Sequence, residues 1–517
     1  MNTLIGKIFE ENTYAPETQE IILTENLLPA GLIHRLHAAY PATSGLLDTS
    51  RNMFTDKAKY KGIEGLREIN QILKSHGIEI GNMEERELFI RIYRFMATRH
   101  VLNAINWNAF EKDSLFQLVF PQPGMILPDT VNDYLNAGSE EEKEGIINAY
   151  IKRFTNPHDG KQLLNKPWYV NEEGSMDFLE GSQHKYPPCQ LIFDKSTQDC
   201  FAFCTYCFRH AQVRGDEDMF VQQEIEPIHD YLRQHKEVTD MLITGGDAGY
   251  ITYERMEKYA LPVLEDPALM HIKTIRLGTR VLTFHPEMIL TRKYEKMLQL
   301  FQKLVDHGVQ LILMSHFSTP RELLNPATIA AVKRLKAYGV TLKSQSPIMR
   351  HISLFNKEDG SIDVERSAQN WIDLGNILAM LGIGFHSMYC ARPTGEHHYF
   401  TAPLADINQV FNKVYRTLAS VNRPSRYITM TSSAGKVSLM GTTVINGEKV
   451  FVLKFNEGRN MEWLDQVYLA KFDAQENTIE KLLPYEGDKH FYEDELKTIE
   501  ENLEKALEAR LMQSESY

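Results

Sequence analysis

Between residues 184 and 390 the chain alternates short, nearly unbroken apolar runs with longer stretches whose apolar residues recur every three to four positions. The runs are QLIFD at 190–194, TDMLIT at 239–244, KTIRL at 273–277, VQLILM at 309–314, GVTLKS at 339–344 and IGFHSMY at 383–389. Strands covered on both faces read this way, whereas a strand with one wet face alternates. The stretches 220–235, 253–263, 293–307, 326–338 and 364–381 have helical spacing and supply the crossovers that parallel strands require. Six successive units of this kind predict an α/β fold, a partial (β/α)₆ barrel related to the closed eight-fold one.

The flanks are patterned differently. Apolar residues recur at helical spacing in 62–75 and 85–105, and proline-containing breaks follow at 121–128 and 157–167. After about 425 the pattern alternates: 436–456 carries Asn446-Gly447, a strong hairpin signal, and 466–473 reads as another strand. A charged amphipathic helix is expected at 491–513. The expected organisation is an N-terminal helical region (1–170), the partial barrel (171–425) and a C-terminal lobe of strands plus a helix (426–517).

The composition, 43% apolar and 24% charged over 517 residues, is that of an ordinary globular protein. The net charge of −13 argues against nucleic acid or an anionic membrane as main partner. The first residues, MNTLIGKIFEENTY, lack the basic start and apolar run of a secretory leader, and no apolar stretch is long enough to span a bilayer. A soluble, cytoplasmic protein is expected. The oligomeric state is left open, a homo-oligomer included.

Chemistry gathers at the C-terminal ends of the expected strands, where barrels of this type build their sites. There stand a cysteine cluster, Gly245-Gly246-Asp247, Gly278-Thr279-Arg280, Ser315-His316-Phe317 and Gln345-Ser346. Of five cysteines, Cys200, Cys204 and Cys207 form C-x₃-C-x₂-C, and Cys189 and Cys390 stand apart. Three thiolates at this spacing can wrap three corners of an iron–sulfur cube and leave one iron open, as a catalytic centre requires. Phe201, Phe203, Tyr206 and Phe208 are placed to shield it. The competing readings are a zinc site completed by His210 and three free buried thiols; zinc sites usually add a second cysteine pair, which is missing here. No G-x-G-x-x-G or Walker loop supports a dinucleotide or ATP.

C-x₃-C-x₂-C at the end of a first barrel strand resembles the signature of the radical S-adenosylmethionine (radical SAM) enzymes. The resemblance implies that Cys200, Cys204 and Cys207 hold a [4Fe–4S] cluster that reduces bound S-adenosylmethionine, and that the resulting adenosyl radical takes a hydrogen atom from substrate. It implies that Gly245, Gly246 and Asp247 help to seat S-adenosylmethionine, and that a flavodoxin or ferredoxin supplies electrons. From about 184 to 456 the chain resembles, more narrowly, lysine 2,3-aminomutase and its relatives. The carrying segments are His184-Lys185-Tyr186-Pro187, Cys207-Phe208-Arg209, Leu242 to Ala248, Ile275 to Arg280, His316-Phe317, Gln345-Ser346, Cys390 and Ser433-Ala434-Gly435-Lys436, in that order.

Those relatives also use pyridoxal phosphate (PLP). The resemblance makes Lys436 the Schiff-base lysine, Lys185 a phosphate ligand, Gln345 a cofactor-binding residue and Arg209 the grip on the substrate α-carboxylate; a lysine amine suits an aldehyde and a guanidinium fork suits a carboxylate. Three positions depart from the family pattern. Ala391 and Thr429 stand where the lysine enzymes have the two aspartates that hold the distal ammonium, and Cys189 replaces a phosphate-binding arginine. No cysteine follows Cys390, so the relatives' C-terminal zinc is not expected. The expected function is a PLP-dependent, amino-acid 2,3-aminomutase-like isomerase acting on an amino acid other than lysine, a small-molecule substrate, with Arg392 beside Ala391 suggesting an acidic or polar side chain. The rivals are a PLP-independent radical SAM enzyme and a non-catalytic iron–sulfur or metal-binding protein. For His397-His398 beside Glu396 the plainer reading is a hydrogen-bonded loop rather than a metal site; His316 is either a rim residue or a ligand contact, and Arg276 and Arg280 bind carboxylates or bridge strand ends.

Overall fold

Two short ribbons precede the main sheet: β1 (Lys59–Lys61) pairs with β2 (Met96–Thr98), and β3 (Trp168–Val170) with β4 (Met176–Phe178). The main sheet has eleven strands, each beside its neighbour in sequence: β5 (Ser182–Tyr186), β6 (Cys189–Phe193), β7 (Asp240–Thr244), β8 (Thr274–Thr279), β9 (Gln310–Ser315), β10 (Thr341–Ile348), β11 (Gly384–Cys390), β12 (Ile428–Thr431), β13 (Gly435–Ile445), β14 (Glu448–Gly458) and β15 (Val467–Lys471). Strands β6 to β12 run parallel. β5 is antiparallel to β6, and β13 to β15 form an antiparallel meander. The computed structural model describes residues 14–40, 52–154, 162–171, 173–214, 220–392 and 395–514.

The six expected barrel strands are β6 to β11. Their apolar runs are covered on the outside by helices that the sequence punctuates clearly. Thr252 caps Tyr253–Glu265, Asn325 followed by a proline caps Pro326–Ala337, and Asp363 caps Val364–Leu381, which ends on Gly382 in the left-handed region. The ladder does not close: β5 and β15 are its two edges. The sheet nevertheless curls, because residues of β5 to β14 line one cavity, and Lys185 Nζ on β5 donates to Ser432 O beyond β12 at 2.7 Å.

Two elements differ from expectation. The stretch 85–105 is two helices, Met83–Ile92 and Arg99–Ala104, separated by β2. Its apolar residues, including Met96 and Ala97, are buried, and a short buried run fits strand or helix equally well. The helix expected over 220–235 begins only at Glu226, where Pro227 opens it, while Gln222 bridges to Asp194. The Asn446-Gly447 turn has both residues at positive φ, 51° and 84°, the type I′ geometry that matches strand twist. The expected boundary at 425/426 falls inside the continuous sheet. Among the described residues no helix is long and apolar enough to cross a membrane.

Candidate active site

The loop after β6 carries the three clustered cysteines, and the N-terminal region pins its backbone. Phe203 N donates to Met96 O (2.8 Å), and Thr205 N to Leu118 O (2.9 Å). Lys59 Nζ and Tyr250 Oη both donate to Cys200 O at 3.2 Å. All three cysteines line a cavity of about 420 Å³. Three cysteines carried on one loop and facing one cavity suit a cluster that keeps one iron open to a ligand. Burial drives all three thiols upward, Cys207 to about 12, so a cationic metal centre is what would let them ionise. The donor set therefore fits an iron–sulfur cluster.

The glycine turn after β7 is pressed against this loop. Gly245 has φ of 142°, and a Cβ there would meet Thr197 Oγ1 at 2.4 Å; one on Gly246 would stand 2.7 Å from Asp199 O and 2.9 Å from Cys200 Sγ. Only glycine permits this approach. Thr197 O accepts from Gly246 N (2.8 Å) and Asp247 N (3.0 Å). The Asp247 carboxylate accepts from Thr279 Oγ1, Gly249 N (2.8 Å) and Arg280 N (2.9 Å). Burial raises it to about 6, against those three bonds. Asp247 thus organises the turn and the end of β8.

Arg280 links the cluster loop to the barrel. It forms a buried ion pair with Glu322, donates to Tyr206 Oη (2.6 Å) and reaches Cys204 Sγ at 3.4 Å. Arg209 donates to two uncharged acceptors, Thr244 Oγ1 (2.6 Å) and Gly245 O (3.4 Å), and lies over the Phe193 and Phe208 rings. Burial and the nearby Arg392 lower it to about 10. A guanidinium so placed is suited to an incoming anion. His316 is driven down to about 3 by burial and by Arg280 and Arg209, so it faces the cavity neutral.

Lys185 and Lys436 both lie near the Tyr186 ring, 5.5 and 5.3 Å from its centre. Gly435 is imposed by packing, since a Cβ would fall 2.1 Å from Glu457 O. Lys436 Nζ pairs with Glu457 Oε2 at 2.5 Å. Lys185 is lowered to about 6 by burial and then by Arg459, Arg392 and Lys436. A buried amine among cations is the environment of an anion site, and this one fits a phosphate. Cys189 accepts from Arg276 at 3.0 Å, and that guanidinium is ion-paired with Asp240.

The residues singled out from the sequence converge. Cys200, Cys204, Cys207, Gly245, Gly246, Asp247, Arg209, Lys185, Gln345 and Lys436 all line the cavity, and so do Ala391, Thr429 and Arg392. The wall carries six basic residues (Lys185, Arg209, Arg276, Arg280, Arg392, Lys436) and two carboxylates, Asp247 and Glu457; Arg276, Arg280 and Lys436 are ion-paired, with Asp240, Glu322 and Glu457, and Lys185 is lowered to about 6. Glu396 and His398 form no three-ligand metal group with His397 among the described residues. Glu396 instead accepts from Tyr93 and Tyr150, both at 2.7 Å. Sequence reasoning missed Tyr186 as a contact for the lysines, Glu457, the Arg280–Tyr206 contact and the N-terminal clamp. It also missed His184, His235 and Glu237, whose ligand atoms gather within 4.8 Å on the outer side of β5.

The chain is 27% identical over 266 residues to a protein of Aquifex aeolicus named putative L-lysine 2,3-aminomutase, covering 51% of this chain and 65% of that protein. It is 30% identical over 175 residues to L-lysine 2,3-aminomutase of Clostridium subterminale, covering 34% and 39%. It is 27% identical over 220 residues to glutamate 2,3-aminomutase of Clostridioides difficile, covering 40% and 49%. The chain thus spans about half the length of these curated relatives. No protein-family model matches it.

Proposed function

We propose that this chain, a divergent relative of the lysine 2,3-aminomutases, is a radical SAM isomerase that moves an amino group between adjacent carbons of an amino acid with an acidic or polar side chain. The supporting observation is that the cluster cysteines, the glycine turn, Arg209 and Lys436 face one cavity. Cys200, Cys204 and Cys207 would hold the cluster, the Gly245–Asp247 turn would seat S-adenosylmethionine, and Lys185 and Lys436 would hold PLP. When bound, the cluster with S-adenosylmethionine supplies hydrogen-atom abstraction, and PLP supplies a conjugated carbonyl through which nitrogen can migrate.

The remaining work belongs to the protein. Arg209 takes the substrate α-carboxylate in place of its uncharged partners. Glu457 Oε2, at 2.5 Å, is placed to accept the proton that Lys436 Nζ must shed to become nucleophilic. Phe203, Tyr206 and Phe208 line the cavity beside the cysteines and exclude water there. Ala391 and Thr429 offer no carboxylate to a distal ammonium, and a buried charge without a partner is costly. One relative is named for glutamate, which agrees with a cavity wall on which basic residues outnumber carboxylates.

A second reading, the same cluster chemistry without PLP, is favoured by the Lys436–Glu457 ion pair and by Cys189. One experiment separates the two. Protein reconstituted anaerobically with iron, sulfide and PLP is treated with borohydride, and its peptides are mapped by mass. An iron–sulfur spectrum with a pyridoxyl group on Lys436, absent in Lys436→Ala, is expected. A cluster without that adduct removes PLP from the reading. Failure of every deuterated amino acid tested to exchange label with S-adenosylmethionine refutes the mutase itself.

A further inference from the structure

We propose that His184, His235 and Glu237 bind one divalent transition-metal ion of the zinc type on the outer side of β5, apart from the cavity. One ligand atom from each lies within 4.8 Å of the other two. Two imidazoles and a carboxylate are a donor set that zinc accepts, with water free to complete the tetrahedron.

Each ligand is set by a different piece of local structure. His184 is on β5, where its neighbour Lys185 lines the cavity while His184 turns to the opposite face. His184 Nε2 lies 3.0 Å from Pro187 O. Donation to that carbonyl would fix the tautomer, the second-sphere arrangement of metal-bound histidines, and leave Nδ1 as the lone-pair nitrogen; in the metal-free protein it accepts from Tyr231 Oη, which an ion would displace. His235 is the residue that ends the helix Glu226–Gln234, and Val238 N closes the following turn on His235 O at 3.2 Å. That turn brings Glu237 Oε1 to 2.8 Å from His235 Nδ1. Tyr231 stacks on His235 with ring centres 4.0 Å apart, which holds the imidazole plane. Glu237 is half exposed and free to swing onto an ion.

The bound ion would tie an edge strand to the helix outside it. β5 has a partner on one side only, and it carries Lys185 into the cavity. The site therefore acts as a clip behind the cavity wall, and it stands whether or not the aminomutase reading does.

The test uses full-length protein whose cysteines are first occupied by reconstitution with iron and sulfide. Titration with Co(II) is expected to give one further equivalent with visible d–d bands and no thiolate charge-transfer band. Zn(II) should displace it and raise Tm. Glu237→Gln, a near-isosteric change at an exposed position, should weaken Co(II) at least about tenfold, as losing a ligand costs no less than losing its supporting bond. His235→Ala should abolish the bands and the Tm rise. Tyr231→Phe removes the hydroxyl that competes for His184 Nδ1, so it should bind as tightly or more tightly. Absence of the further equivalent, or unchanged affinity in both Glu237→Gln and His235→Ala, overturns the site. Loss of binding in Tyr231→Phe overturns the role of His184 Nδ1.

Discussion

At the scale of single residues, the glycine turn makes the sharpest demand. A methyl on Gly246 would press on both Asp199 O and Cys200 Sγ, so Gly246→Ala must displace the cysteine loop or the turn. A shift of about 1 Å in such a site costs on the order of 100-fold in rate. We expect Gly246→Ala to cut reductive cleavage of S-adenosylmethionine by about that factor and to lower iron per chain after reconstitution; full iron with wild-type cleavage would contradict the geometry. Arg280 tests the same loop from the other side. Arg280→Met leaves Glu322 buried without its partner, a loss of about 3–5 kcal/mol that a urea unfolding curve would register. It also removes the hydrogen bond to Cys204 Sγ, and fewer hydrogen bonds to sulfur make a cluster harder to reduce. The cluster's midpoint potential should therefore fall in any Arg280→Met protein that still folds. Neither consequence was legible in the sequence, which left Arg280 between binding a carboxylate and bridging strand ends; the choice depends on Glu322, forty-two positions away, and only the fold brings it near.

At the scale of elements, what could be read was what chemistry makes local. Buried parallel strands announce themselves by continuous apolar runs, and caps such as Asn325-Pro326 and Asp363 mark where helices begin. The Asn446-Gly447 turn sets the β13–β14 register near the hairpin, but two irregularities, at Leu439/Gly441 and Lys436/Val437, lie between it and the pairing of Lys436 with Glu457, so the sequence did not determine that contact. Nor was the clamp of β2 and Leu118 on the cysteine loop within its reach, because backbone bonds between distant segments leave no trace in side-chain pattern. The segment after β11 shows a similar long-range dependence. Glu396 is raised to about 7 by burial, against bonds from Tyr150 and Tyr93 that hold it to the N-terminal helices. Its folded value lies above its unfolded value near 4.5, so between those values the folded state binds the extra proton. Stability from this group is thus fully present below about pH 4.5 and is lost as pH rises through 7, by at most about 3 kcal/mol. Denaturant unfolding between pH 5 and 8 should show this slope in wild-type protein and a flatter profile in Glu396→Gln; equal slopes would remove Glu396 as its source.

At the scale of the whole molecule, charge is segregated. The chain carries a net −13, yet six of the eight Lys, Arg, Asp and Glu residues on the cavity wall are basic. Two carboxylates are already committed, Asp247 to the turn after β7 and Glu457 to Lys436. A substrate ammonium entering beyond its reacting amine would find no carboxylate waiting, while Ala391 and Thr429 occupy the wall beside Arg392. Removing a needed partner from a buried charge discriminates by several orders of magnitude, whereas resizing an apolar pocket gains one or two. If the proposed function holds, charge sets the substrate more than pocket size does, and the setting should be reversible. In Ala391→Asp/Thr429→Asp, label exchange between deuterated lysine and S-adenosylmethionine should rise by at least about 100-fold relative to wild type, with a matching fall for deuterated glutamate. The paired readout matters, because a variant that merely loosens the cavity would lower both. If lysine exchange stays at background while glutamate exchange persists, these two positions do not face the side chain, and the cations along the wall serve cofactor anions alone.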